Sequence, residues 1–210
     1  MRHFFSMFLL LAIIGLHVSV QSTRRPSDWS LNADYPSLLT VSNGMKWGSW
    51  GHKSMCPSGM YAAGFSLKVE EASHAFHDDS SLNGIRLHCV NPSRKSSGSY
   101  GRYASIESDV GHWGEWTDIK WCPSGFLKAF QLRVESAQGA GDDTAANNIR
   151  FSCSDGFLLQ GDGTAWGDWG DWSPKCKGKG ICGIKTRILE PQGFFGDDTA
   201  LNDVQMYCCE

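Results

Sequence analysis

One phrase is written three times along this chain, and each copy ends on a cysteine. His77-Asp78-Asp79-Ser80 leads through Asn83 to Cys89, Gly141-Asp142-Asp143-Thr144 leads through Asn147 to Cys153, and Gly196-Asp197-Asp198-Thr199 leads through Asn202 to Cys208. A repeat of this kind constrains the architecture before any local propensity does, because each copy is one supersecondary unit that buries its apolar face only against its neighbours. Other positions recur at the same offsets: Trp47, Trp113 and Trp166; Cys56, Cys122 and Cys176; Glu70, Glu135 and Glu190. The repeats run over about 38–91, 102–155 and 156–209, and an Asn91–Gly101 insert lengthens the gap between the first two. The insert is polar and flexible by composition, and Pro92 blocks the glycosylation signal that Asn91 and Ser93 would otherwise form.

Within each copy the residues alternate. Leu67-Lys68-Val69-Glu70 and Leu132-Arg133-Val134-Glu135 switch between apolar and charged, the period of a half-buried strand. Ile149, Phe151 and Cys153 share one face, with Ile85, Leu87, Cys89 and Val204, Met206, Cys208 as counterparts. Twenty-four glycines punctuate the chain, and no long stretch keeps a helical apolar period. The expected class is all-β, with about four short strands per repeat. One four-stranded sheet cannot bury its apolar face. Three of them, one per repeat, bury it against one another as a three-sided prism of Greek-key sheets about a pseudo-threefold axis. A three-bladed propeller is the geometric competitor.

The first 22 residues read as a secretory signal peptide. Arg2 and His3 form a basic head, Phe4 to Leu16 is nearly all apolar, and Val20-Gln21-Ser22 offers a cleavage site. The apolar run is too short to span a bilayer, so no membrane insertion is expected. Residues 23–37 form an N-terminal arm and 38–210 a single domain. The eight cysteines all follow the leader, as expected of a disulfide framework in a secreted chain. Alignment of the repeats pairs Cys56 with Cys89, Cys122 with Cys153 and Cys176 with Cys208, leaving Cys182 with Cys209. An exchange of partners between the last two pairs stays open, since Cys208 and Cys209 are adjacent. The net charge of −3 becomes −4 when Arg2 leaves with the leader, which argues against nucleic acid or an anionic membrane as partner.

Trp-Gly-x-Trp, Cys-Pro-x-Gly, Gly-Asp-Asp-Thr-Ala-x-Asn and the terminal Cys208-Cys209 together resemble the vitelline membrane outer layer protein 1 family. The resemblance runs from about Leu39 to Glu210 and is densest from Trp166 onward. It implies the same β-prism of three Greek-key sheets. It also implies a secreted protein of egg envelopes and other extracellular fluids, with carbohydrate binding and suggested activity on chito-oligosaccharides. Carbohydrate or glycoprotein matrix components are the partners to expect on that basis. The first repeat departs from the pattern at His77 and Ser80, which weakens any function needing three identical loops.

Three sets of residues carry the candidate chemistry. Glu70, Glu135 and Glu190 stand at strand ends in positions that the offsets make equivalent. Paired carboxylates at glycosidase separations would serve a transferase or hydrolase acting on N-acetylglucosamine oligomers. Ion pairing with Arg86, Arg150 or Arg187 is the structural alternative. Trp50, Trp116 and Trp169 are the second members of the Trp-Gly-x-Trp pairs. In a flat strand positions i and i+3 face opposite sides, so, unless the intervening glycine makes a bulge, one Trp of each pair is expected in the core and the other near the surface, where it would stack on a sugar ring. The Asp-Asp-Thr loops suit hard cations only poorly and read mainly as turns whose side chains bond their own backbone. His74 and His77 near Asp78 and Asp79 lack counterparts in the other repeats, so no metal site and no cofactor is expected. No nucleophile elbow or nucleotide-binding loop occurs. The reading that follows is a secreted glycan-binding component of an extracellular layer, with catalysis as the alternative.

Overall fold

The computed structural model describes residues 37–70, 81–93, 102–135, 146–190 and 200–210. The leader, the arm up to residue 36, the three Asp-Asp-Thr loops, His74 and His77 lie outside the described residues. In chain order the strands are β1 (Ser37–Leu39), β2 (Ser49–Trp50), β3 (Ser54–Met55), β4 (Tyr61–Val69), β5 (Leu82–Val90), β6 (Ala104–Glu107), β7 (Glu115–Trp116), β8 (Lys120–Trp121), β9 (Leu127–Val134), β10 (Ala146–Cys153), β11 (Leu158–Gln160), β12 (Asp168–Trp169), β13 (Gly180–Ile188) and β14 (Leu201–Cys209).

Three antiparallel sheets result. Sheet I has the order β1-β14-β13-β2, sheet II β6-β5-β4-β7, and sheet III β11-β10-β9-β12; β3 and β8 add short rungs to β13 and β4. In each sheet a long hairpin forms the centre. The following strand pairs outside its second arm, and the next returns beside its first arm. That is the Greek-key order. Sheet I has the same order only if the chain is read from β13 and β14 on to β1 and β2. The two ends of the folded chain therefore complete one sheet together. The all-β prism of three Greek-key sheets is the observed architecture.

The sequence repeat is not the sheet, however. Each Trp-Gly-x-Trp strand pairs with the long hairpin of the preceding repeat: Trp116 lies opposite Lys68, Trp169 opposite Arg133, and Trp50 opposite Arg187. The expectation of one repeat per sheet is corrected on this point. The fourth strand of a Greek key crosses the sheet to its far edge, so a repeat that begins with that strand straddles two sheets.

This straddling sets the role of the disulfides. Cys56 hydrogen-bonds to the backbone of Cys182 in sheet I, and its partner Cys89 is in β5 of sheet II. Cys122 is bonded to Ala63 in sheet II and linked to Cys153 in sheet III. Cys176 is bonded to Lys128 in sheet III and linked to Cys208 in sheet I. One covalent bond thus closes each seam of the prism. The fourth bond, Cys182–Cys209, lies within the β13–β14 hairpin, and the pairing by alignment is the one observed.

Alternation points one face of every long strand inward. Phe65, Leu67, Ile85, Leu87, Phe130, Leu132, Ile149, Phe151, Ile184, Val204 and Met206 are wholly buried in one cluster. Phe151 sits between Phe65 and Phe130, with ring centroids 4.7 and 6.3 Å away. At the position of Leu67 and Leu132, sheet I carries Thr186, and its hydroxyl donates to the Asp109 carbonyl at 2.5 Å. The buried hydroxyl is thereby satisfied, as burial in an apolar setting requires.

Candidate functional site

The third signature residue of the repeated phrase holds the aromatic turns in place. Asn83, Asn147 and Asn202 are fully buried. Their backbone carbonyls accept from Gly111, Thr164 and Met45, each two residues before a Trp-Gly-x-Trp turn. Their side chains add bonds: the Trp113 amide donates to Asn83, and the Thr164 hydroxyl donates to Asn147 at 2.8 Å. The turn reading of this phrase therefore extends to its Asn, which anchors the following repeat's aromatic segment.

The glycine of each turn is equally constrained. Gly48, Gly114 and Gly167 have φ of 75°, 85° and 70°, in the left-handed region that glycine enters without steric cost. A Cβ on any of them would run into the backbone that follows β13, β4 or β9. The turn can thus press flat against the end of the long strand with which its Trp strand pairs.

This geometry decides which tryptophan faces water. Trp47, Trp113 and Trp166 are 59%, 53% and 58% exposed, and no tryptophan belongs to the core among the described residues. Trp50, Trp116 and Trp169 are half-buried on the outer faces of their sheets. The expectation of one core Trp per pair is corrected here. The left-handed glycine breaks the flat-strand alternation on which it rested, and each strand is only two residues long. The second Trp of each pair meets cations instead. Arg86 lies 3.8 Å from the Trp116 ring centre, Arg150 lies 4.5 Å from Trp169, and Lys185 lies 5.7 Å from Trp50. Such contacts are worth about 0.5–1 kcal/mol each at exposed sites. Arg150 also faces Trp172, at 5.6 Å. None of these cations was legible as a Trp partner, because they come from strands that the linear order places elsewhere.

The three glutamates divide. The amides of Glu70 and Leu189 make equivalent bonds, to the carbonyls of Ser81 and Ala200. Gly114, Gly167 and Gly48 press against the amides of Glu70, Glu135 and Leu189 in the same way. The structural counterpart of Glu70 and Glu135 is therefore Leu189, and Glu190 lies one residue beyond. Counting from the cysteine misleads because Glu70 follows Cys56 by 14 residues, whereas Glu135 and Leu189 follow Cys122 and Cys176 by 13. Glu190 is exposed and lies 3.7 Å from His112 across the seam between sheets I and II. A triad of equivalent carboxylates does not exist. Among the described residues no group of three His, Cys, Asp or Glu side chains is placed to hold a metal ion.

Sheet II carries one further cluster on its outer face. His88 is buried, with Nε2 3.1 Å from the Ser66 hydroxyl and Nδ1 2.9 Å from the Ser105 hydroxyl. Its ring meets Tyr103 edge-on at 5.2 Å and Trp121 at 5.7 Å. Burial, reinforced by the nearby Arg86 charge, lowers its pKa from 6.5 to about 4. The unfolded chain therefore takes up a proton near pH 6.5 while the folded chain does not. Stability is full above pH 6.5 and falls as the pH drops towards 4, by up to about 3 kcal/mol at about 1.4 kcal/mol per unit. Chemical denaturation at a series of pH values measures this slope. His88→Gln should flatten it between pH 6.5 and 4, and an unchanged slope would remove His88 as its source.

Comparison with known proteins fits this geometry. The family model described as Vitelline membrane outer layer protein I matches residues 37–210. The Vitelline membrane outer layer protein 1 homologs of Homo sapiens and Mus musculus are 51% and 48% identical over 176 residues, which cover 83% of this chain and 84% of each relative. Among solved structures, Calystegia sepium agglutinin superposes with a TM-score of 0.51 at 12% identity, covering 82% of this chain and 95% of that one. The artocarpin–mannotriose complex gives a TM-score of 0.50 at 11% identity, covering 82% and 97%. At such identities the likeness is one of fold alone. With the family model spanning every sheet and half of the residues shared with the human and mouse proteins, the chain belongs to the Vitelline membrane outer layer protein I family.

Proposed function

We propose that this protein is a secreted component of an extracellular layer that binds the glycans of its matrix without catalysis. The observation that carries the reading is the threefold display of Trp47, Trp113 and Trp166. Each is more than half exposed on a turn fixed by a left-handed glycine. Exposed tryptophan offers a large rigid apolar face at little conformational cost, and a pyranose presents a matching face of C–H bonds. Threefold repetition adds avidity towards a branched or surface-bound glycan. Lectins share the fold, one of them solved with a biantennary N-glycan and another with mannotriose, which supports the reading.

A glycan array probed with the mature chain tests this. Binding is expected at micromolar protein. Removing all three rings in a Trp47→Ala, Trp113→Ala, Trp166→Ala variant should weaken it by about a hundredfold, as loss of avidity does, with an unchanged melting profile. No binding by the wild type at high micromolar concentration would overturn the reading.

A further inference from the structure

The pseudo-threefold provides an internal control on every outer-face position, and sheet II departs from its two counterparts. His88 lies opposite Gly64 and Ser105, and Trp121 also pairs with Gly64. The same place in sheet I holds Tyr207, Leu38 and Met55, and in sheet III Ser152 and Leu158 stand where His88 and Ser105 do. The fold thus does not require an aromatic cluster here. In sheet II the absence of a Gly64 side chain lets Trp121 lie against the strand, since a Cβ there would fall 2.6 Å from its ring. Tyr103 stands edge-on to both His88 and Trp121, with centroids 5.2 Å away from each, and remains 47% exposed. The two serine hydroxyls on the His88 nitrogens fix the imidazole that Tyr103 leans on.

One rung along the same face, Arg86 donates to Glu107 at 2.7 Å while lying over Trp116. Both side chains are partly exposed. Together they offer a donor and an acceptor whose charges cancel. Residues two apart on a strand are about 6.6 Å apart, roughly one sugar ring. An apolar stacking surface with a few fixed polar groups beside it is the usual composition of a ligand site. The neutral ion pair selects an uncharged polyhydroxyl ligand over an anionic one.

We propose that the outer face of sheet II holds a single, unrepeated binding site for a neutral hexopyranose residue of a glycan, with Tyr103 and Trp121 as the stacking surface and Arg86 and Glu107 as hydroxyl partners. His88, Ser66 and Ser105 position the Tyr103 ring. This rests on the glycan-binding reading and adds, to the contacts of the three exposed turn tryptophans, one further contact on a single sheet face.

The test titrates the full mature chain with chitotetraose, mannotriose and a biantennary N-glycan, following backbone amide shifts. At least one probe should shift Arg86, Tyr103, Glu107 and Trp121 together. Tyr103→Ala should weaken that binding about tenfold, Tyr103→Phe should retain it, and Glu107→Gln should weaken it severalfold. Tyr103 and Glu107 are both partly exposed, so these variants leave the core packing untouched. If the array is positive and a probe binds, but shifts fall on sheets I and III or Tyr103→Ala binds within twofold of wild type, the sheet II site is wrong while glycan binding stands. If no probe binds at millimolar concentration and the array is blank, both fail.

Discussion

Replacing Cys122 and Cys153 together by alanine should cost about 3 to 4 kcal/mol, from the entropy of closing a loop with a sequence separation of 31. For a chain of this size the melting temperature should fall by roughly 10 °C. Removing Cys182 and Cys209 provides the comparison, because its separation of 27 is nearly the same. Chain entropy alone predicts almost equal losses. The structure predicts a larger loss for Cys122–Cys153, because that bond joins sheet II to sheet III and both sulfurs sit in the core. Cys182–Cys209 only reinforces a hairpin already held by its ladder. Calorimetry on the two double variants decides between these accounts. Faster amide exchange along β10 in the first variant alone would locate the effect at the seam. Equal losses with no seam signature would place the whole contribution in the unfolded chain.

The second large effect concerns Gly114. Gly114→Ala forces a side chain into the left-handed region at a cost of about 1 kcal/mol. It also drives a methyl group into the carbonyl of Val69 and the amide of Glu70. The loss should therefore reach about 3 kcal/mol or more, within the range for substitutions that strain a fixed backbone. Gly59 is the control. Its φ is 74°, close to the 85° of Gly114, but nothing lies within 4 Å of a Cβ built on it. Gly59→Ala should cost only about 1 kcal/mol, the left-handed penalty by itself. Denaturant unfolding of the two variants separates backbone conformation from close approach. Equal costs would mean that the turn does not press on β4. The Trp113 environment gives a second readout, because a displaced turn should shift its fluorescence in Gly114→Ala and not in Gly59→Ala.

The two experiments probe one design. Each repeat begins on one sheet, crosses a seam at its first cysteine and builds the long hairpin of the next sheet. The cysteine closes the seam covalently, and the glycine turn closes the sheet edge by contact. The buried Asn83, Asn147 and Asn202 tie the end of one hairpin to the following turn. A defect in any of these should loosen two sheets at once, which ties the stability of the prism to the presentation of its surface tryptophans.

Much of this was legible in the linear sequence. Alternation in Leu67-Lys68-Val69 or Ile149-Arg150-Phe151 fixes which side chains enter the core, because a strand has a period of two whatever it pairs with. Repetition of cysteine with the same local context assigns Cys56 to Cys89 and Cys122 to Cys153, and leaves only the exchange among Cys176, Cys182, Cys208 and Cys209 for the structure to decide. The need of three such sheets to bury one face each narrows the architecture to a prism with a three-bladed propeller as competitor. These are local or counting properties, and a sequence carries them in full.

Partnership across the seams was not legible. That Trp116 lies opposite Lys68 and under Arg86, that Leu189 rather than Glu190 matches Glu70, and that Trp113 rather than Trp116 faces solvent all depend on one crossing of the chain from sheet to sheet. The register across that crossing is set by left-handed glycines and by single-residue slips, to which offset counting is blind. The gathering of Tyr103, His88 and Trp121 on one face of sheet II is of the same kind. Three residues from separate strands acquire a common chemistry only when the ladder brings them side by side, and no spacing along the chain records that.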